Sequence, residues 1–195
     1  MAGGAFAGLM IANKKAEQAK AIEELSSAWS SLVAGPRALA FGGPAKNPSL
    51  TGAAQGTGPI TISIEFDHVG MAHTRIRVVT LAKHDFHVGV YPNPGGIMGF
   101  LKSHLGEDLQ VDDELFDDAF IIKATPPEGA IALLQPTLRE RIQAISVKPF
   151  TAFTYSPGEV NVQIPDVEKD AHWLEAALDA ALDAARWDPT AQAFR

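Results

Sequence analysis

Cysteine is absent from this 195-residue chain. That excludes disulfide scaffolds, cysteine-ligated zinc, iron–sulfur clusters and thiol nucleophiles together, and it fits a reducing compartment. Basic residues are scarce: 16 Lys and Arg stand against 23 Asp and Glu, for a net charge of −7. Nucleic acid is therefore not an expected partner, because phosphate binding needs a basic face. Aromatics make up 8% of the chain, and none is interleaved with basic residues as RNA-binding sheets require. A secretory leader is not expected: residues 1–12 carry no charge, and Lys14 and Lys15 follow the apolar run rather than precede it. The run is also well short of the roughly 20 residues that span a bilayer. No G-x-S-x-G elbow, G-x-x-x-x-G-K loop, H-E-x-x-H pair or strand-borne G-x-G-x-x-G occurs.

What is there reads as an ordinary globular domain. Hydrophobic residues are 46% of the chain, and a domain of this length buries about 70% of its unfolded surface. Charge is uneven. Residues 1–100 hold 8 basic and 6 acidic side chains, whereas 101–195 hold 8 and 17, a pattern expected of one acidic face. Ile22, Leu25, Trp29 and Leu32 recur at spacings of three and four. They predict a helix over 14–33, ended by Gly35-Pro36. Gly4 and Gly8 form a small-xxx-small pair upstream, a pattern that allows close helix approach. Residues 35–59 contain six Gly and four Pro and are expected to be a connector, with a short strand near Leu50–Ala54 as an option.

Period-two alternation then predicts strands over 60–66, 73–81 and 86–91. Their links are too short for parallel crossovers, so an antiparallel meander is expected. Further along, 97–105 is read as a short helix and 119–123 as a strand. Helices are expected over 127–134 and 136–146, each with Pro in its first turn, and a hairpin over 150–155 and 160–164. A last helix begins at Asp166 as its cap and runs to about Trp187, where Asp188-Pro189 stops it. The fold class is thus α+β: an antiparallel sheet of five to six strands covered by helices, with an N-terminal helical arm. The expected division is an arm at 1–34, a connector at 35–59 and an α+β domain at 60–188.

Two stretches, Leu115-Phe-Asp-Asp-Ala-Phe-Ile-Ile-Lys123 and Ala132-Leu-Leu-Gln-Pro-Thr-Leu-Arg139, resemble a diffuse group of uncharacterised bacterial α+β proteins. That group carries an acidic entry into an apolar strand, then two helices separated by proline. The resemblance extends over roughly residues 49–187, and many members look membrane-tethered. It implies no activity and no catalytic residues.

Three constellations bear on chemistry. His68, His73 and His87 would suit zinc if adjacent strands brought them together, although His84 and His87 point to opposite sides of their strand. Seven carboxylates lie within 107–118, but they lack the spacing and the central Gly of a calcium loop, and helix capping explains them better. Arg75, Arg77 and Lys83 form a modest basic strip. No catalytic residue, metal ligand or cofactor is assigned. The last helix places Glu175, Asp179 and Asp183 in a carboxylate ladder opposite an apolar stripe of Leu174, Leu178 and Leu182, with Ala171, Ala177, Ala181 and Ala185. Expected partner-binding residues are therefore Ile22, Leu25, Trp29 and Leu32 on the arm, and Glu175, Asp179 and Asp183 on that ladder. The function expected is a non-catalytic interaction or accessory subunit of a larger bacterial assembly. It would be cytoplasmic and either self-associating or bound to a protein. The alternatives are a peripheral membrane protein using residues 1–15 and a small-ligand or metal-dependent enzyme using the strand histidines.

Overall fold

In the computed structural model, residues 3–35, 37, 39–44, 47–82, 84–93 and 108–188 are described, with the backbone alone for 3–12. Alternation in the sequence becomes alternation in burial. In β3 (Pro59–Phe66) Ile60, Ile62 and Ile64 point inward, and in β4 (Ala72–Val79) Ala72, Thr74, Ile76 and Val78 do the same. The remaining strands are β1 (Ala40–Gly42), β2 (Ser49–Ala53), β5 (His87–Pro92), β6 (Phe120–Thr125), β7 (Ala152–Ser156) and β8 (Glu159–Ile164). All eight form one antiparallel sheet in the order β1-β2-β3-β4-β8-β7-β5-β6.

The inward residues of every strand except β1 join one core with the helices. These are α1 (Gly3–Ala28), α2 (Ser30–Ala34), α3 (Glu114–Ala119), α4 (Pro127–Leu133), α5 (Pro136–Ile145) and α6 (Ala171–Ala185). The last of these, α6, lies across β4 and β8, with α5 and α2 against it, while α4 covers β5 and β6. The opposite face of the sheet is polar, as antiparallel sheets allow.

The α+β class and the antiparallel sheet stand, but the sheet has eight strands rather than five or six. The Gly/Pro-rich stretch is not a mere connector: it supplies both β1 and β2. The strand offered as an option near Leu50–Ala54 is β2, whereas β1 has no buried residue and no alternation to announce it. The meander fails after β4, because β8 and β7 lie between β4 and β5. Seven residues, 80–86, make that passage. They reach up to about 23 Å, against roughly 14 Å for three strand spacings. Helix α1 begins at Gly3, earlier than predicted. The cap of α6 is Asp170, which accepts from His172 and Trp173 N–H, while Asp166 lies four residues upstream. The helix predicted over 97–105 falls outside the described residues. Antiparallel register puts the β3–β4 turn, the start of β7 and the end of β8 at one end of the sheet, here called the lower end.

Candidate interaction surface at the lower end of the sheet

Among the described residues, helix α1 is rooted from Gln18 to its C-terminal end. Leu25 and Trp29 have no exposed surface and Leu32 is buried. The indole N–H of Trp29 donates to the carbonyl of Glu168 at 3.0 Å. Against the expectation of an external, partner-binding face, all three lie in the core. The apolar stripe is satisfied by the helix's own sheet and the loop before α6, so none of the three is available to a partner. Only Ile22 remains half-buried at the surface. The arm is therefore part of the domain up to Gln18, which is itself buried. The Gln18 side-chain amide pairs with the backbone of Ala72 in both directions: its Nε2 donates to the carbonyl, and the Ala72 N–H donates to its Oε1, each at 3.0 Å.

Residues 13–17, just upstream of Gln18, are all exposed, although the Lys15 side chain reaches the β3–β4 turn at Gly70. Two clefts flank the helix at this level. One, of about 440 Å³, is bordered by Lys15, Gln18, Ile22, Glu23, Phe66 and Gly70. The other, of about 330 Å³, lies on the side of Lys14, Lys148, Phe150, Asp166 and Lys169. The first is shaped by the β3–β4 turn. There Asp67 Oδ1 accepts from Val69 and Met71 N–H at 3.0 and 2.8 Å, and the Met71 bond in particular holds its carboxyl below the usual range. The second is shaped by the loop from α5 to β7, where Thr151 Oγ1 donates to the carbonyl of Lys148 at 2.8 Å. Lys148 pairs with the buried Glu168 at 2.8 Å, and Lys169 pairs with Glu24 at 2.7 Å. Thr74 Oγ1 ties the 166–168 segment to β4, donating to Asp166 O and accepting from Glu168 N–H, both at 2.8 Å.

The other expected sites fare differently. Asp179 is paired with Arg37 and lies 4.0 Å from Arg141, and Asp183 is 2.6 Å from Arg141 Nε. The ladder is thus occupied by the chain's own cations and is not an open strip for a basic partner, although Glu175 is half-buried without an ion pair among the described residues. His68, His73 and His87 do not converge. His73 sits at the lower end beside Glu65, at 3.5 Å. His87 aligns with the row of Val79, six residues or about 20 Å along the strands and three strands across. Among the described residues no three His, Asp or Glu side chains come together as a metal site would need.

Arg75 and Arg77 are tied up on the polar face. Arg75 Nε donates to Asn161 Oδ1 at 2.9 Å, and Arg77 Nε lies 2.6 Å from Glu159 Oε2. Lys83 is outside the described residues. The acidic run is structural. Asp113 caps α3 through Phe116 N–H, Asp117 accepts from Val111 N–H, and Asp108 accepts from Ile122 N–H along the outer edge of β6. Sequence reasoning missed Phe66, Val147, Lys148 and Phe150 as surface features. Phe150 in particular was read as the start of a strand. Its only signal was the Lys-Pro-Phe order, which favours a loop before the alternation begins.

No protein-family model matches the chain, and no curated protein matches it. Among solved structures the chain is similar to the mycobacterial trehalose monomycolate transport factor A, TtfA, with a TM-score of 0.48 and 10% identity over 70% of this chain and 68% of that one. Nothing about function follows from a likeness of that size.

Proposed function

We propose that the protein is a non-catalytic accessory module that attaches to its surroundings through the free end of α1. The observation that carries this reading is the asymmetry of the helix. It is anchored by Trp29 and Gln18, yet residues 13–17 beyond that anchor are all exposed. The clefts on either side are open surface features rather than an enclosed, water-excluding pocket, which favours docking over chemistry.

Deleting residues 1–12 tests the reading. The shortened protein should keep its melting temperature, because the anchor residues remain. It should lose the self-association or the complexes that the full chain forms when cross-linked in an extract of its native source. Unchanged complexes in the deleted form would refute the proposal.

A further inference from the structure

Phe150 is 62% exposed and sits at φ 60°, in the left-handed region that disfavours every side chain except glycine. It gains little from burial and carries backbone strain, a pairing that marks a position kept for something other than folding. Its ring lies in the same cleft as Lys14 and Lys148. Across α1, Phe66 shares a cleft with Lys15. Each side of the helix thus offers a phenyl ring beside an ammonium group, at the level of the exposed residues 13–17. Lys14 and Lys15 enter no ion pair among the described residues, whereas Lys148 and Lys169 are paired. Val69 in the β3–β4 turn and Val147 in the α5–β7 loop add two more exposed apolar side chains at this end.

We propose that the lower end rests on an anionic membrane surface. Phe66 and Phe150 lie at headgroup depth, Lys14 and Lys15 lie against lipid phosphates, and the charge-free start of α1, residues 3–12, lies in the interface. The combination of exposed rings, cations and an uncharged helical segment is the physical description of an interfacial contact. No helix of the described residues is long and apolar enough to cross a membrane, so the contact is with the surface. Carboxylates do stand at this end. Glu17 is exposed two residues from Lys15, Glu23 faces the first cleft and Asp67 lies in the turn beside it; in the second cleft Glu168 is paired with Lys148, and Asp166 accepts from the Val167 N–H. The inference rests on the reading of the free end of α1 as the docking element, and it names what that end docks to.

Flotation of the full chain with vesicles of phosphatidylcholine, with and without phosphatidylglycerol, measures the contact. One lysine at such a surface is worth about fivefold in partitioning. The double variant Lys14→Ser, Lys15→Ser should therefore bind the anionic vesicles about 25-fold more weakly. Phe150→Gly should weaken binding several-fold while leaving the melting temperature equal or higher, since glycine accepts positive φ without strain. Raising the salt should weaken binding by screening. Full binding by the combined triple variant, equal binding to both vesicle types, or no binding by the full chain would each overturn the proposal. If the triple variant binds fully but deletion of 1–12 abolishes binding, this proposal falls while the reading of α1 as the docking element stands. If the full chain binds no vesicle, the cross-linking test decides separately on the helix.

Discussion

Gly129 shows how a single missing methyl is decided by its neighbours. In α4, alanine would gain about 1 kcal/mol of helix propensity over glycine. A Cβ there would fall 2.5 Å from Phe86 Cγ. The ring cannot retreat, because it stacks on Tyr155 at 4.7 Å and meets Trp187 edge-on at 5.7 Å. Overpacking of that kind costs about 1–3 kcal/mol, so Gly129→Ala should lower the melting temperature in a calorimetric scan despite the better helix former. Charge reversal at Asp179 also has a sign set by its surroundings. Within the acidic ladder alone, lysine would relieve repulsion. Beside Arg37 and Arg141 it adds repulsion instead, and Asp179→Lys should destabilise by about 1 kcal/mol in denaturant titration. Glu159 makes a pH prediction. Its carboxyl is held below the usual range by the Asn161 amide first and by Arg77 next. A depressed carboxylate stabilises the fold fully above its unfolded value of about 4.3 and loses that contribution as pH falls through the folded value. Asn161→Ala should therefore cost more stability at neutral pH than in strong acid, where Glu159 is protonated in both proteins and only the loss of the bond from Arg75 remains.

At the scale of elements, α1 divides at Gln18. Removing residues 1–33 takes Leu25, Trp29 and Leu32 from the core. At about 1.5–3 kcal/mol each, the loss approaches the whole stability of an ordinary domain, about 5–15 kcal/mol, and the remainder should be insoluble or unfolded by circular dichroism. Gln18→Ala is a finer probe. It strands the N–H and carbonyl of Ala72, and should cost about 1–3 kcal/mol without changing the helix content. The parts of the fold legible in the sequence are those whose partners are near or whose burial repeats. Residues 60–66 and 72–79 alternate because one face is buried, and α5 and α6 carry a stripe that repeats over several turns. The rest depended on distant partners. The Trp29 stripe reads alike whether it meets a partner or its own domain, and the answer lies with a carbonyl 139 residues away. The clefts flanking α1 are assembled from three separate segments. Lys14 and Lys15 were visible as charges after an apolar run, but Phe66 and Phe150 looked like ordinary strand residues.

At the scale of the whole molecule, the two sheet edges are not alike. The outer edge of β6 is sealed by residues 108–109, where Leu109 N–H donates to Ile122 O at 2.9 Å and Ile122 N–H donates to Asp108. At the opposite edge β1 is only three residues long, and brevity is itself a guard against edge-to-edge pairing. The interior of the sheet holds the larger hazard. Strands β1–β4 and β5–β6 are complete in the chain before residue 126, yet they touch only through the β7–β8 hairpin inserted between them. A ribosome therefore releases two half-sheets whose inner borders, β4 and β5, stay unzipped until the hairpin at 152–164, in the last quarter of the chain, appears. The hairpin is a keystone laid last. Folding should be slow for a protein of this size, as pairings far apart in sequence dictate. A nascent chain stalled at residue 149 should aggregate through those two bare borders, whereas one stalled after α6 should be released soluble.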